Sequence, residues 1–279
     1  MRVSTPQNET LEEVETSLLL EGMFRHYGFD FRNYAPASLK RRLSDSMREA
    51  GVSTISGFQE KLLHDPSLFE QFLRALSVNV TSMFRDPTFY RTFRERVVPF
   101  LRTYPFIRIW HAGCSTGEEV YSMAILLKEE GIYDRCRIYA TDMSVDSLRS
   151  AREGIFPLSS MQEYTNNYIK ASGKKFFSEY YTAQYDGALF DPSLRLNIVF
   201  SEHNLVTDGS FNEFHVVLCR NVMIYFNRSL QERVHSLIYE SLAKFGVLGI
   251  GNKESLRFTP CEELYVQLNE VDRLYRKVA

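Results

Sequence analysis

The sequence predicts an α/β protein: a doubly wound, mostly parallel sheet preceded by an all-helical region and interrupted by a small antiparallel β insertion. Three observations predict this class. From Phe106 onward, short apolar runs alternate with helical stretches, the pattern that crossover connections impose on a parallel sheet. Ahead of residues 95–105 the apolar positions and proline punctuation read as helices only. Between residues 157 and 200 the alternation gives way to short β-like runs around Asp186-Gly187, a turn dipeptide. The expected division is a helical domain over 1–95 and a second domain over 96–279, with the insertion at about 157–200.

The helical region begins at residues 11–26, with Leu11, Val14, Leu18 and Met23 among the apolar positions. Pro36 suits the first turn of a second helix, because its missing N–H is one that a helix start leaves unpaired anyway. In that helix Leu39, Leu43, Met47 and Ala50 share one face, with Arg41 and Arg48 opposite and Lys40 and Arg42 on the flanks. Residues 22–50 hold six Lys/Arg against three Asp/Glu. Such a run is either a solvated face or a docking face for an acidic partner. Residues 56–63 read as a third helix. Asp65-Pro66 and Asp86-Pro87 each pair a capping acid with a first-turn proline and open helices to about Leu76 and Arg102. Between them, Asn79, Thr81 and Arg85 offer an amide, a hydroxyl and a guanidinium within one loop. Capping of neighbouring helix ends is the alternative use of such residues.

In the second domain, strands are expected at Phe106–His111, Cys136–Thr141, Asn197–Ser201 and Glu213–Cys219, with helices at Glu118–Glu130 and Ser144–Glu153. A long helix over Arg228–Phe245, a strand over Gly246–Gly251 and a terminal hairpin over Leu264–Val278 complete the chain.

The chemistry concentrates at the first strand's end. Gly113, Ser115 and Gly117 form a tight small-residue turn leading into a helix, and Asp142 ends the next strand. A carboxylate there can accept both hydroxyls of a ribose. Glu118 and Glu119 stand at the helix start. Two carboxylates there suit the helix dipole but repel phosphate. The site therefore favours a cationic nucleoside cofactor such as S-adenosyl-L-methionine over NAD or ATP. A second polar cluster, Cys219-Arg220-Asn221 followed by Tyr225-Phe226, ends an apolar strand at the same crevice. Arg220 could equally be a structural ion-pair member and Tyr225 a core aromatic.

Composition narrows the remaining classes. With 279 residues and 44% hydrophobic content a sizeable core is available, and the net charge of −2 gives no global field for nucleic acid. Four scattered cysteines with no C-x-x-C pair argue against a zinc site or disulfide framework and fit a reducing compartment. No apolar run approaches the ~20 residues that span a bilayer. A soluble cytoplasmic protein without a metal is expected.

Five segments, Asn79-Val-Thr-Ser-Met-Phe-Arg85, Ala112-Gly-Cys-Ser-Thr-Gly-Glu-Glu119, Thr141-Asp142, Asn204-Leu205 and Cys219-Arg-Asn-Val-Met-Ile-Tyr-Phe226, together resemble the motif set of the CheR family. These are S-adenosylmethionine-dependent methyltransferases that esterify glutamate side chains of bacterial chemoreceptors. The resemblance implies a Rossmann-like methyltransferase domain with S-adenosyl-L-homocysteine as product. It implies cofactor binding by Asn79, Thr81, Arg85, Glu119, Asp142, Asn204, Leu205, Cys219 and Arg220. Arg85 and Tyr225 would serve the methyl-transfer step. Lys40, Arg41, Arg42 and Arg48 would dock the cytoplasmic domain of a chemoreceptor. A monomer that neither inserts in the membrane nor binds nucleic acid is expected. The chain departs from the family at Gly251-Asn-Lys-Glu254, where a Gly-His-Ser-Glu-like stretch is expected. Other readings are a cofactor-binding signalling module and a methyltransferase for a non-chemotaxis protein, a small molecule or a nucleic acid.

Overall fold

The computed structural model describes residues 9–76, 81–257, 259–269 and 271–278. Asn79 therefore lies outside the described residues. The chain forms two compact units. One runs as far as Val78 and takes in Tyr225–Leu230; the other comprises Asn79–Ile224 and the chain from Gln231 onward.

The first unit is built from helices α1 (Leu11–Tyr27), α2 (Pro36–Glu49), α3 (Ile55–His64) and α4 (Pro66–Leu76). Their ends are set by local chemistry. Thr10 and Glu13 form a reciprocal capping box at the start of α1, and Gly28, at φ 81°, ends it. Asp65 accepts the Ser67 and Leu68 N–H groups at the start of α4. Leu19, Met23, Leu39, Leu43, Phe58, Leu62, Phe69 and Phe72 are buried, and Tyr27 stacks on Phe69 at 3.7 Å.

The buried face of α2 differs from the expected one. It consists of Leu39, Arg42, Leu43 and Ser46, while Met47 is only half-buried. These four positions follow the i, i+3, i+4, i+7 rule as well as the apolar set does. Arg42, expected on the flank of α2 among the docking cations, thus lies on the inner face. In the same unit, Tyr225–Asn227 runs beside Asn33–Ala35. Ala35 N–H donates to the Tyr225 carbonyl at 2.8 Å, Asn227 N–H donates to the Asn33 carbonyl at 2.8 Å, and Tyr34 and Phe226 form an antiparallel bridge.

The second unit holds a seven-stranded sheet in the order β6-β2-β1-β7-β8-β10-β9. Its strands are β1 (Ile107–Ala112), β2 (Cys136–Asp142), β6 (Ile198–Glu202), β7 (Phe214–Cys219), β8 (Leu242–Ile250), β9 (Tyr265–Asn269) and β10 (Leu274–Lys277). Pairing is parallel from β6 to β8, and the β9–β10 hairpin joins β8 antiparallel. Helices α7 (Glu118–Glu129) and α8 (Val145–Glu153) follow β1 and β2. The insertion is a three-stranded antiparallel sheet, β3 (Ile155–Pro157), β5 (Gly187–Phe190) and β4 (Tyr181–Gln184), accompanied by α9 (Met161–Lys170).

Two boundaries differ from expectation. Helix α5 (Pro87–Thr92), which precedes residue 95, lies in the sheet unit, as does α6 (Val98–Leu101). Phe89, Phe93, Val97 and Leu101 belong to the sheet's apolar core, and Thr88 and Thr92 donate to Asp272 at 2.6 and 2.5 Å. Helix α10 (Arg228–Ser241) stops short of Phe245, and β8 begins at Leu242. Leu242 pairs with Phe214 across the ladder, so sheet pairing overrides the helical apolar spacing there.

Candidate active site

In the sheet order, β1 lies between β2 and β7, and the crossovers depart in opposite directions on its two sides. The crevice at the carboxyl ends of β1 and β7 is where such a sheet binds ligands. The glycine turn after β1 opens there. Gly113, Ser115 and Gly117 adopt φ values of 80°, 50° and 95°. A Cβ on Gly113 would come within 2.6 Å of a Val222 methyl, so the close approach of the β7 loop requires glycine. Gly113 and Cys114 N–H groups both donate to the Thr141 carbonyl, at 2.8 and 2.9 Å, tying the turn to the end of β2.

Asp142 sits beside that turn. One carboxylate oxygen accepts the Ser115 N–H at 2.8 Å and the other the Ser144 N–H at 2.9 Å. Burial pushes the Asp142 carboxyl above its ordinary range, and the backbone donors of Ser144, Ser115 and Met143 pull against it. With three backbone donors on about four lone-pair sites, the carboxylate keeps acceptor capacity for a hydroxyl donor.

The end of β7 supplies a buried charge network. The Arg220 guanidinium, only 1% exposed, donates to Glu119 Oε2 at 2.9 Å, to Asp86 Oδ2 at 2.8 Å and to the Arg85 carbonyl at 3.2 Å. It also lies 4.1 Å from the centre of the Phe89 ring. The second Glu119 oxygen pairs with His111 Nδ1 at 2.9 Å. Burial by itself would raise the Glu119 carboxyl, but the His111 hydrogen bond and the Arg220 charge bring it below the ordinary range. Glu118 has different company. It accepts from the Thr116 hydroxyl at 2.6 Å and lies 3.4 Å from the Tyr164 hydroxyl, and burial raises its carboxyl. The two adjacent glutamates therefore carry different electrostatics, which the helix-dipole argument alone does not separate.

The loop before α5 is fixed by the same region. Phe84 N–H donates to Ser122 Oγ at 2.9 Å, and Asn167 Nδ2 to the Met83 carbonyl at 3.1 Å. Thr81 and Arg85 are half-buried in this loop. Asp86 makes no side-chain cap on α5, contrary to its Asp-Pro signature; its φ is 56° and its carboxylate goes to Arg220. At the end of β6, Asn204 Oδ1 accepts the Val206 N–H at 2.9 Å, shaping the turn that buries Leu205. Cys219 is fully buried.

Three residues of this region are not read from the sequence as part of the site. His111 meets Glu119 eight residues on, and Asp86 meets Arg220 far along the chain. Glu254 closes the loop that follows Arg220: its carboxylate accepts N–H groups from Asn221, Val222, Met223 and Gly251, at 3.0, 2.9, 2.8 and 2.5 Å. The departure of residues 251–254 from the family pattern leaves this glutamate in place. Among the described residues there is no cluster of side chains that could hold a metal ion, and no helix is long and apolar enough to cross a membrane.

The donor set fits a nucleoside cofactor with positive charge. The glycine turn admits close backbone approach, Asp142 offers acceptors for hydroxyls, and carboxylates rather than phosphate-binding cations head α7. Comparison with known proteins agrees. Residues 79–269 match the family described as CheR methyltransferase, SAM binding domain, and residues 15–77 match CheR methyltransferase, all-alpha domain. The Pseudomonas putida protein Cher3 is 48% identical over 97% of this chain and 99% of its own. A chemotaxis protein methyltransferase of Listeria monocytogenes is 30% identical, covering 83% of this chain and 86% of its own. Chemotaxis protein methyltransferase 2 of Pseudomonas aeruginosa is 30% identical over 84% of each. With its sheet order, its glycine turn and both matched modules, the chain belongs to the CheR family of S-adenosylmethionine-dependent methyltransferases.

Proposed function

We propose that this protein transfers a methyl group to glutamate side chains in the cytoplasmic domain of chemoreceptors, giving glutamyl methyl esters. The observation that carries this reading is the presence of both CheR modules in one chain, with relatives named chemotaxis protein methyltransferases matched over 83–84% of this chain and 84–86% of their own. The expected setting is the cytoplasm, with the protein acting as a monomer.

When bound, the cofactor supplies an electrophilic methyl on a sulfonium. The acceptor carboxylate, with an ordinary pKa near ~4.3, is already ionised at neutral pH and needs no general base. Its oxygen forms the new C–O bond as the C–S bond breaks, and the electron pair of that bond stays on sulfur to give S-adenosyl-L-homocysteine. The chain's residues then have to align and dry the reactants. Arg85 positions the acceptor carboxylate, because its fork matches that geometry. Tyr225 orients a reactant by hydrogen bonding. Asp142 holds the ribose hydroxyls, Asn204 and Leu205 flank the adenine, and Asn79 and Thr81 serve the cofactor's amino-acid end with Glu119. Cys219 closes the pocket. Arg220 acts through Glu119 and Asp86.

The test is transfer of tritiated methyl from labelled cofactor to receptor cytoplasmic domains. The expected product releases methanol under mild base. Absence of transfer, or a base-stable product, overturns the assignment.

A further inference from the structure

Arg42 is a cation turned inward, and its surroundings concern one residue. Its guanidinium carbon lies 4.8 Å from the centre of the Tyr225 ring, and one amino group donates to the Leu76 carbonyl at the end of α4. The residue is 7% exposed, and its other amino group, Nη2, is buried with no hydrogen-bond partner among the described residues. A buried cation so placed costs stability unless something answers its charge. The face of the Tyr225 ring does so through its π electrons.

The backbone around Tyr225 is held separately. Its carbonyl accepts the Ala35 N–H, and Phe226 and Asn227 are bridged to Tyr34 and Asn33. Those contacts fix where the chain runs and act on the backbone, not on the tyrosine side chain's rotamer. The Arg42 guanidinium stands over the ring.

We propose that Arg42 is a positioning residue that fixes the Tyr225 ring for methyl transfer. This rests on the reading that Tyr225 serves that step. It also separates Arg42 from Arg41 and Arg48, which are exposed on the outer face of α2.

The experiment compares Tyr225→Phe, Arg42→Met, Arg42→Lys and the double variant Arg42→Met/Tyr225→Phe in full-length protein. Methyl transfer to a receptor domain gives kcat and KM, and calorimetry gives cofactor affinity. Arg42→Met is expected to lower kcat about 10- to 100-fold, as misplacement of a catalytic group does. The KM for receptor and the cofactor affinity stay within about twofold. Arg42→Lys, which keeps a cation over the ring, recovers most of the activity. The double variant is no slower than the worse single one, since both act on one group. If Tyr225→Phe is slow but Arg42→Met retains full kcat, or raises only KM, the positioning role is overturned. Independent, multiplicative losses in the double variant overturn it as well. If Tyr225→Phe is itself fully active, the role of Tyr225 fails first. Unfolding of Arg42→Met is recognised by lost cofactor binding, and the Lys variant then decides: full recovery supports the role, and a folded but inactive protein contradicts it.

Discussion

The Arg220 guanidinium and the Glu119 carboxylate meet at 2.9 Å in a place that water barely reaches, and the same guanidinium binds Asp86 at 2.8 Å. One cation therefore ties the end of β7 to the start of α7 and to the loop ahead of α5. Removing one partner of such a buried group leaves the others as uncompensated charges. Arg220→Met is expected to lower folding stability by about 3–5 kcal/mol, read from urea denaturation. A loss below about 1 kcal/mol, the range of an exposed pair, would show that the network contributes no more than a surface ion pair.

Asp142 does two jobs. It anchors the glycine turn through Ser115 N–H and offers lone pairs at the crevice. Asp142→Asn replaces an acceptor oxygen with a donor that faces a backbone N–H. Each charge-assisted hydrogen bond lost is worth about 1.5–3 kcal/mol. Cofactor affinity measured by calorimetry should fall by at least about tenfold, while receptor binding is unaffected. Unchanged cofactor affinity would remove Asp142 from the site.

Glu118 gives a pH-dependent prediction. Burial raises its carboxyl above the ordinary ~4.3, and its Thr116 hydrogen bond only partly offsets that. Between the ordinary and the raised value the folded protein binds more protons at this group than the unfolded chain does. Its contribution to stability is therefore fullest at low pH and falls as pH rises through that window. Glu118→Gln abolishes the titration, and its amide can still meet the Thr116 and Tyr164 hydroxyls. Relative to the parent protein, the variant should gain stability as pH rises from below the ordinary carboxyl value of ~4.3 to neutrality. Urea midpoints that differ by the same amount at both ends of that range would contradict the raised carboxyl.

The exposed cations of α2 are partly neutralised. Lys40 pairs with Glu12 at 2.8 Å and Arg48 with Asp45 at 2.7 Å, both as solvent-exposed contacts that are easily exchanged. Arg41→Glu combined with Arg48→Glu should raise the KM for a receptor domain several-fold and leave kcat and cofactor affinity unchanged. An unchanged KM would return this face to an ordinary solvated surface. Raising the salt concentration should weaken receptor binding in the parent protein more than in the variant.

The sequence by itself determined what local chemistry decides. Helix ends followed Thr10, Gly28 and Asp65, and the glycine turn followed from positions where only a residue tolerant of positive φ fits. Strand alternation placed that turn and Asp142 at one edge of a parallel sheet. Tertiary structure decided which charge meets which. Arg42 reads as a flank residue of α2, yet it is buried because its helical position falls on the inner stripe. Asp86 reads as a cap, yet it pairs with Arg220, far along the chain. Glu118 and Glu119 are adjacent and alike in sequence, yet only Glu119 meets His111 and Arg220. Glu254 becomes the closure of the Arg220 loop through four backbone donors. The reason is common to all four. Helix starts and turns are set by neighbours within a few residues, whereas the partner of a buried charge is chosen by desolvation, which acts on whatever the fold brings near.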